Sequence, residues 1–340
     1  MPTFCRHNRF LERCPICSRT LPGQAPAGKT PRRGAGAGGT SVGQATGRRG
    51  PRAESVRVRR EGRAEDDGFR SQLVPGLRAS ADAIRLAEEL AFSSGRLLAL
   101  EGDPPGLYSE IRGLAAEDLE RASWASFLTA YLSPLDGEDP FAGIRLALAA
   151  KPNLGGDGGT SGTAQEPYPG DVPLGPRSSH DPARGAETLD AYRQWVQRAG
   201  GTQAIAFRGD PSWSAQRRFE RLFERLALPG FGRMGRYDLL VTLGYLGLYE
   251  LRPDSLHLAG ARGLSADDPT TLAAKRVFGI GDPLLLERRA GALARSASLP
   301  VEALDLALAN WGSPKRATLG FPEDTSDDGA LERTGDALGL

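Results

Sequence analysis

The chain has 340 residues, with 43 Lys and Arg against 42 Asp and Glu, a formal charge of +1 and 39% hydrophobic residues. As a total, that charge gives no sign of a polyanion partner, and no apolar run approaches the ~20 residues of a membrane span. Gly and Pro together make up 69 residues, about a fifth of the chain where ~12% is usual, so part of it cannot bury enough apolar surface to order itself.

The neutral total hides a split. Residues 1–63 carry 14 basic residues and three acids, giving +11, and the remaining 277 residues carry −10. A basic arm on an acidic body suggests a polyanion partner for the arm. Three cysteines give no even disulfide framework, and the opening Met-Pro-Thr-Phe-Cys-Arg-His lacks a signal peptide's apolar run. The expected location is cytoplasmic.

In chain order, residues 1–20 are compact and Cys-rich. Residues 21–78 are rich in Gly, Pro, Arg and Ala, and no aromatic falls between Phe10 and Phe69. They read as a disordered basic linker. Helical spacing begins near Ser80, with Ile84, Ala87, Leu90 and Ala91, and continues in helices over about 116–132 and from Asp139-Pro140 through Leu148. A polar, Gly-rich stretch then reads as a disordered insertion over 152–185. Further helices are expected at about 186–199, 212–227, from 233, 268–278, 283–297 and 300–311. Strand signals are confined to Ala204–Phe207 and Leu256–Leu258. The tail, 316–340, is acidic and reads as frayed. The body, 79–315, is expected to be all-α.

The three cysteines and one of the three histidines form Cys5-x-His7-x6-Cys14-x2-Cys17. Thiolates and imidazole suit tetrahedral Zn²⁺, and four protein ligands make a closed, structural site. Twenty residues cannot fold on core burial alone, so the metal would supply the folding energy of this module. The arginines around it, Arg6, Arg9, Arg13 and Arg19, suit phosphate contacts or simply keep it soluble. Gly23 to Thr30 matches the phosphate-binding pattern G-x4-G-K-[ST]. It lacks the strand before and the helix after that the mechanism needs, and is set aside as chance.

The most informative stretch runs from Leu226 to Leu240. One helix ends near Ala227, Leu228-Pro-Gly-Phe-Gly232 makes a turn, and a second helix begins near Arg233. Gly230 and Gly232 permit positive φ, and the turn amides with Arg233 and Arg236 would form a phosphate site. This resembles the helix-hairpin-helix of DNA-repair glycosylases, whose catalytic Asp precedes a later helix. Asp268 has that position here, although Asp268-Pro269 also reads as a helix cap with Pro at N1.

A wider resemblance rests on Phe4-Cys-Arg-His-Asn-Arg-Phe-Leu-Glu-Arg-Cys-Pro-Ile-Cys17, on Trp124-Ala-Ser-Phe-Leu-Thr-Ala-Tyr-Leu-Ser-Pro followed by Gly137-Glu-Asp-Pro-Phe141, and on 228–243. Together these resemble the α-glutamyl/putrescinyl thymine pyrophosphorylase family, or amino acid:DNA transferases, clade 3. The resemblance implies a glycosylase-like helical fold. It also implies displacement of pyrophosphate from an activated 5-hydroxymethylpyrimidine in DNA by an amine, either an amino acid or a polyamine. Arg233, Arg236 and the turn amides would stabilise the leaving group. Asp238, Asp268, or Glu138 and Asp139 would accept the amine's proton. Tyr237, Trp124 or Trp213 would stack a flipped base, unless they are core or, for Asp139, a cap. The expected partners are DNA and the amine co-substrate, with no membrane and a monomeric chain. A hydrolytic glycosylase, or a non-catalytic DNA-binding zinc protein, are the rivals.

Overall fold

The segment Leu119–Leu132 carries almost no charge, and its apolar residues lie all round the helix rather than along one stripe. A helix of that kind must be central. In the computed structural model, which describes residues 64–154, 172–258 and 268–340, every residue from Ala122 to Leu132 is buried. Its hydroxyls are satisfied within the helix: Ser123 donates to the Leu119 carbonyl, Ser126 to Ala122 and Thr129 to Ala125. Its aromatic side packs Trp124, Phe127 and Tyr131 against Tyr192 and Phe231.

Around this helix the described chain is helical with no strand. The order is α1 (Ser80–Glu101), α2 (Leu107–Glu117), α3 (Leu119–Leu132), α4 (Ala142–Ala150), α5 (Gly185–Arg198), α6 (Gln203–Arg208), α7 (Ala215–Arg225), α8 (Arg233–Tyr245), α9 (Pro269–Phe278), α10 (Pro283–Ser296), α11 (Ala303–Gly312) and α12 (Asp328–Leu338). Helices α2, α4 and α8 pack on α3, while α1 packs on α11 and α12, and α11 on α9. No helix among the described residues is long and apolar enough to cross a membrane.

Four expectations are corrected. The body begins before residue 79: Val74 and Leu77 are buried, and the Gly76 amide donates to the Val277 carbonyl at 2.9 Å. The low aromatic content of 21–78 masked this short apolar contact at its end. The described part of the supposed insertion, 172–185, is tied down by backbone bonds, Gly175 to Leu132 and Ser179 to Tyr131. These ties are polar, so hydrophobic patterning could not reveal them. The acidic tail forms α12, where Ala330, Thr334 and Leu338 make a buried stripe at i, i+4 and i+8. Asp327 fastens it, its amide donating to the Ala91 carbonyl and its carboxylate accepting from Ser94. Finally, Ala204–Phe207 lies in α6, capped by Thr202, and Leu256–Leu258 pairs with no strand.

Gly76 is the tightest junction. A Cβ there would stand 1.9 Å from the Arg276 carbonyl oxygen, whereas one on Gly113, inside α2, would meet nothing within 4 Å. Gly76→Ala should therefore lower stability by about 3 kcal/mol through overpacking. Gly113→Ala should raise it by about 0.5–1 kcal/mol through helix propensity. Denaturant melts of the two variants check both signs.

Candidate functional site

Helix α7 is strongly amphipathic, and Phe219, Leu222 and Phe223 point into the core. It ends in the expected turn, where Gly230 has φ +70° and approaches Thr188 so closely that a Cβ would fall 2.3 Å from its hydroxyl. Gly232 instead has φ −70° and serves as the N-cap residue of α8. The turn between two helices is thus present, with a single glycine in the left-handed region.

The turn's arginines do not stand beside it in solvent. Arg233 is 2% exposed. Its Nε donates to Asp268 Oδ2 at 2.9 Å, one Nη to the Leu256 carbonyl at 2.9 Å and the other to Asp305 Oδ1 at 2.6 Å. Arg236 lies over the Phe223 ring at 4.3 Å and donates to the Phe223 and Gly232 carbonyls. Burial, with Arg233 nearby, lowers its pKa to about 10. Both cations therefore point inward: around Arg233 the carboxylates outweigh the lost hydration, whereas around Arg236 the carbonyls only offset part of it. Arg236 holds the end of α7 against the start of α8.

Asp305 links Arg233 to a second buried arginine. Arg177 Nη2 donates to Asp305 Oδ2 at 2.7 Å, and its Nε and Nη2 grip Asp238 at 2.9 Å each. The result is an alternating chain, Asp238–Arg177–Asp305–Arg233–Asp268, drawn from α8, the 172–184 segment, α11 and the head of α9. Burial opposes the charge on each arginine, but the paired carboxylates outweigh it and raise both pKa values. Burial likewise opposes ionisation of Asp305, and Arg233 and Arg177 overcome it, holding its carboxyl below the usual range. Asp268 also caps α9, accepting from the Thr271 amide and hydroxyl at 2.9 and 2.6 Å. The cap and ion-pair roles coincide in one carboxylate, with Pro269 at N1. Glu287 completes the surroundings by accepting from the Leu256 and Leu258 amides.

Of the expected site residues, Asp268, Asp238 and Arg233 are brought together. Asp238 lines a small cavity, which it shares with Arg96, Tyr108, Thr129, Ser133 and Thr242. Asp139 is exposed on another part of the surface, accepting from the Phe141 amide at the start of α4. Tyr237 is 1% exposed, with its hydroxyl donating to the Ser255 carbonyl, and Trp124 is fully buried. Neither presents a face for a base. Trp213 is half-buried, beneath the Arg225 guanidinium at 5.3 Å. Cys5, His7, Cys14 and Cys17 lie outside the described residues, among which no group of three or more His, Cys, Asp or Glu could hold a metal.

Sequence reasoning missed Arg177, Asp305 and Arg96. Asp305 and Arg96 had a usable signal, since each is a lone charge inside an apolar helical run: Leu304-Asp-Leu-Ala-Leu and Gly95-Arg-Leu-Leu-Ala. Such a charge is buried at a cost and needs a partner. Arg177 had no such signal, being set among Gly, Pro and Ser.

His257, passed over in the sequence, lies in stacking range of Phe219 and Phe223 at φ 53° and leaves Nε2 without a partner. Burial depresses its pKa to about 4.

Two stability measurements follow. Asp305→Ala takes one of two carboxylates from each of two buried guanidinium groups and should cost about 3–5 kcal/mol. For His257, the unfolded state binds more protons than the folded state between pH 4 and 6.5, so stability should fall as pH drops through that window, by about 2–3 kcal/mol. Asn tolerates positive φ, so urea melts of His257→Asn should show a flatter dependence there.

Residues 177–319 match the family described as alpha-glutamyl/putrescinyl thymine pyrophosphorylase clade 3. No curated protein and no solved structure matches the chain. The match begins at Arg177 and takes in every member of the charge chain.

Proposed function

We propose that the protein modifies a pyrimidine base in DNA, displacing pyrophosphate from an activated 5-hydroxymethylpyrimidine with the amine of an amino acid or polyamine. The observation that carries this reading is the coincidence of the family match with the charge chain. The same segment that names the chemistry supplies all five residues, and one of its carboxylates opens onto a cavity.

In this reading Asp238 accepts the proton that the incoming ammonium must lose before its nitrogen attacks the base's exocyclic methylene. The C–N bond forms as the C–O bond breaks, and pyrophosphate leaves with the electron pair. Arg177 orients Asp238 through two hydrogen bonds. Asp268, already occupied by Arg233 and Thr271, serves as a positioning residue at the far end of the chain. Asp139 keeps its local role at α4. With Arg233 and Arg236 turned inward, contacts to DNA phosphate fall to the amides of the turn around Gly230 and Gly232 and to the basic residues of 1–63. Those basic residues add a salt-sensitive, sequence-blind attraction. The helix-hairpin-helix reading of α7 and α8 is part of this proposal. So are a structural zinc held by Cys5, His7, Cys14 and Cys17, a monomeric chain and a cytoplasmic site of action.

The test is incubation with DNA containing pyrophosphorylated 5-hydroxymethyluracil and mixed amines, followed by nucleoside mass spectrometry. An amine adduct is expected, lost by about 10²-fold or more in Asp238→Asn. Abasic sites would instead identify a hydrolytic glycosylase, and bound but unchanged DNA a non-catalytic binder. For the metal, elemental analysis of the purified full chain should return about one zinc per chain, and Cys14→Ser should remove it.

A further inference from the structure

Helices α7 and α8 meet at the turn around Gly230, so the start of α7 and the end of α8 lie at the opposite end of the pair. With 11 residues, α7 puts about 16 Å between the two ends. There the chain leaves α8 through Gly247, at φ 76°, and runs past the start of α7, where the Arg252 amide donates to the Ala215 carbonyl at 3.5 Å. Two hollows, of about 410 and 420 Å³, border this run and share Leu248, Tyr249 and Glu250. Arg208 and Arg218 wall the first, and Gly244, Gly247 and Arg252 the second. Each is large enough for a ligand, and through the shared residues they form one open groove.

Arg218 is buried, but the carboxylate it holds is not. Its Nη1 donates to the Glu250 carbonyl at 2.9 Å and to Glu250 Oε2 at 3.1 Å, Nη2 donates to the Trp213 carbonyl, and Nε has no partner. The Glu250 side chain is 84% exposed, so its carboxylate can swing into water at little cost. Arg208, on the same hollow, is exposed and pairs with no carboxylate among the described residues. The floor between these cations is apolar, made by Leu248 and the Tyr249 ring, whose hydroxyl is taken up by Ser123 at 2.6 Å. In the strip between the hollows, the Glu250 and Leu251 backbone amides make no hydrogen bond among the described residues.

We propose that this groove docks an extended acidic segment of a partner protein. One carboxylate of the segment takes the place of Glu250 on Arg218, and another pairs with Arg208. Apolar side chains alternating with them rest on Leu248 and Tyr249, as the two-residue period of an extended chain allows. The amides of Glu250 and Leu251 offer main-chain hydrogen bonds to it. Glu250 is thus a resident stand-in for the partner's acid, and its seat on Arg218 shows that a carboxylate fits there. A nucleic-acid strand suits the groove less well, since its phosphates would run along an apolar floor and past the exposed Glu250. The surface lies at the far end of the helix pair from the turn, so an occupant leaves the turn open. It does not depend on the DNA chemistry proposed above, because binding is read without DNA and without turnover.

The probe is a short peptide of alternating glutamate and leucine that carries a benzophenone, photocrosslinked to the full chain over a range of peptide concentrations and mapped by mass spectrometry. Crosslinks should fall within residues 208–218 or 244–252. Mapping separates the groove from the basic residues of 1–63, which attract any polyanion. Arg208→Glu, at an exposed position, should weaken crosslinking in the groove by about tenfold or more. Glu250→Gln should strengthen it severalfold, because the competing carboxylate is gone, whereas a purely structural Arg218–Glu250 pair predicts no gain. Crosslinks confined to 1–63, labelling unmoved by Arg208→Glu, or no gain in Glu250→Gln would each overturn the assignment. So would displacement of the peptide from the groove by oligothymidylate, which would make it the path of a nucleic-acid strand.

Discussion

Asp305 is where the architecture is decided. One carboxylate, fully enclosed on α11, divides its two oxygens between Arg233 of α8 and Arg177 of the segment leading into α5. Remove its charge and each arginine is left with a single carboxylate, Asp238 or Asp268, and the link between the two is lost. With it in place, each arginine can extend to a further carboxylate, and four parts of the chain are fixed relative to one another. A buried ion pair is weak evidence for net stability, since desolvation consumes much of the attraction. Its directional bonds, however, specify one geometry. Here they set how the turn between α7 and α8 sits against the head of α9, the two places where the family resemblance puts function.

The helices were largely legible, and the reason lies in particular residues. The i, i+3, i+4, i+7 spacing of Phe219, Leu222, Phe223 and Leu226 marks α7, and Asp268-Pro269 and Asp282-Pro283 mark the starts of α9 and α10, where both aspartates do cap. Helix α2 was passed over, although Leu107, Tyr108 and Ile111 carry its buried face. Helix α12 was also passed over, because its acidic composition outweighed a stripe of only three small or apolar residues. Helix α6, six residues long, read as a strand because Ile and Phe within a short run carry no period.

The site was less legible because its logic is long-range. Arg233 and Arg236 follow a glycine turn, and nothing local distinguishes arginines that face phosphate from arginines that face a buried carboxylate. The deciding partner, Asp305, is 72 residues away from Arg233. Asp268 illustrates the reverse. Its cap reading and its site reading were framed as alternatives, yet one carboxylate has enough lone pairs to satisfy the Thr271 amide and hydroxyl and an arginine together.

That separation also bears on how the molecule reaches its final form. Asp305 meets Arg177 across 128 residues and Arg233 across 72, so closing the chain of charges incurs loop-closure entropy that the helix-local contacts of α3 or α7 avoid. Until the contributing segments meet, each charged group is better off hydrated. Desolvation of the cluster therefore gains its compensation only once all the contributing segments have met. A chain that has formed its helices but not joined 177, 233 and 305 keeps these groups in water and its middle unsealed.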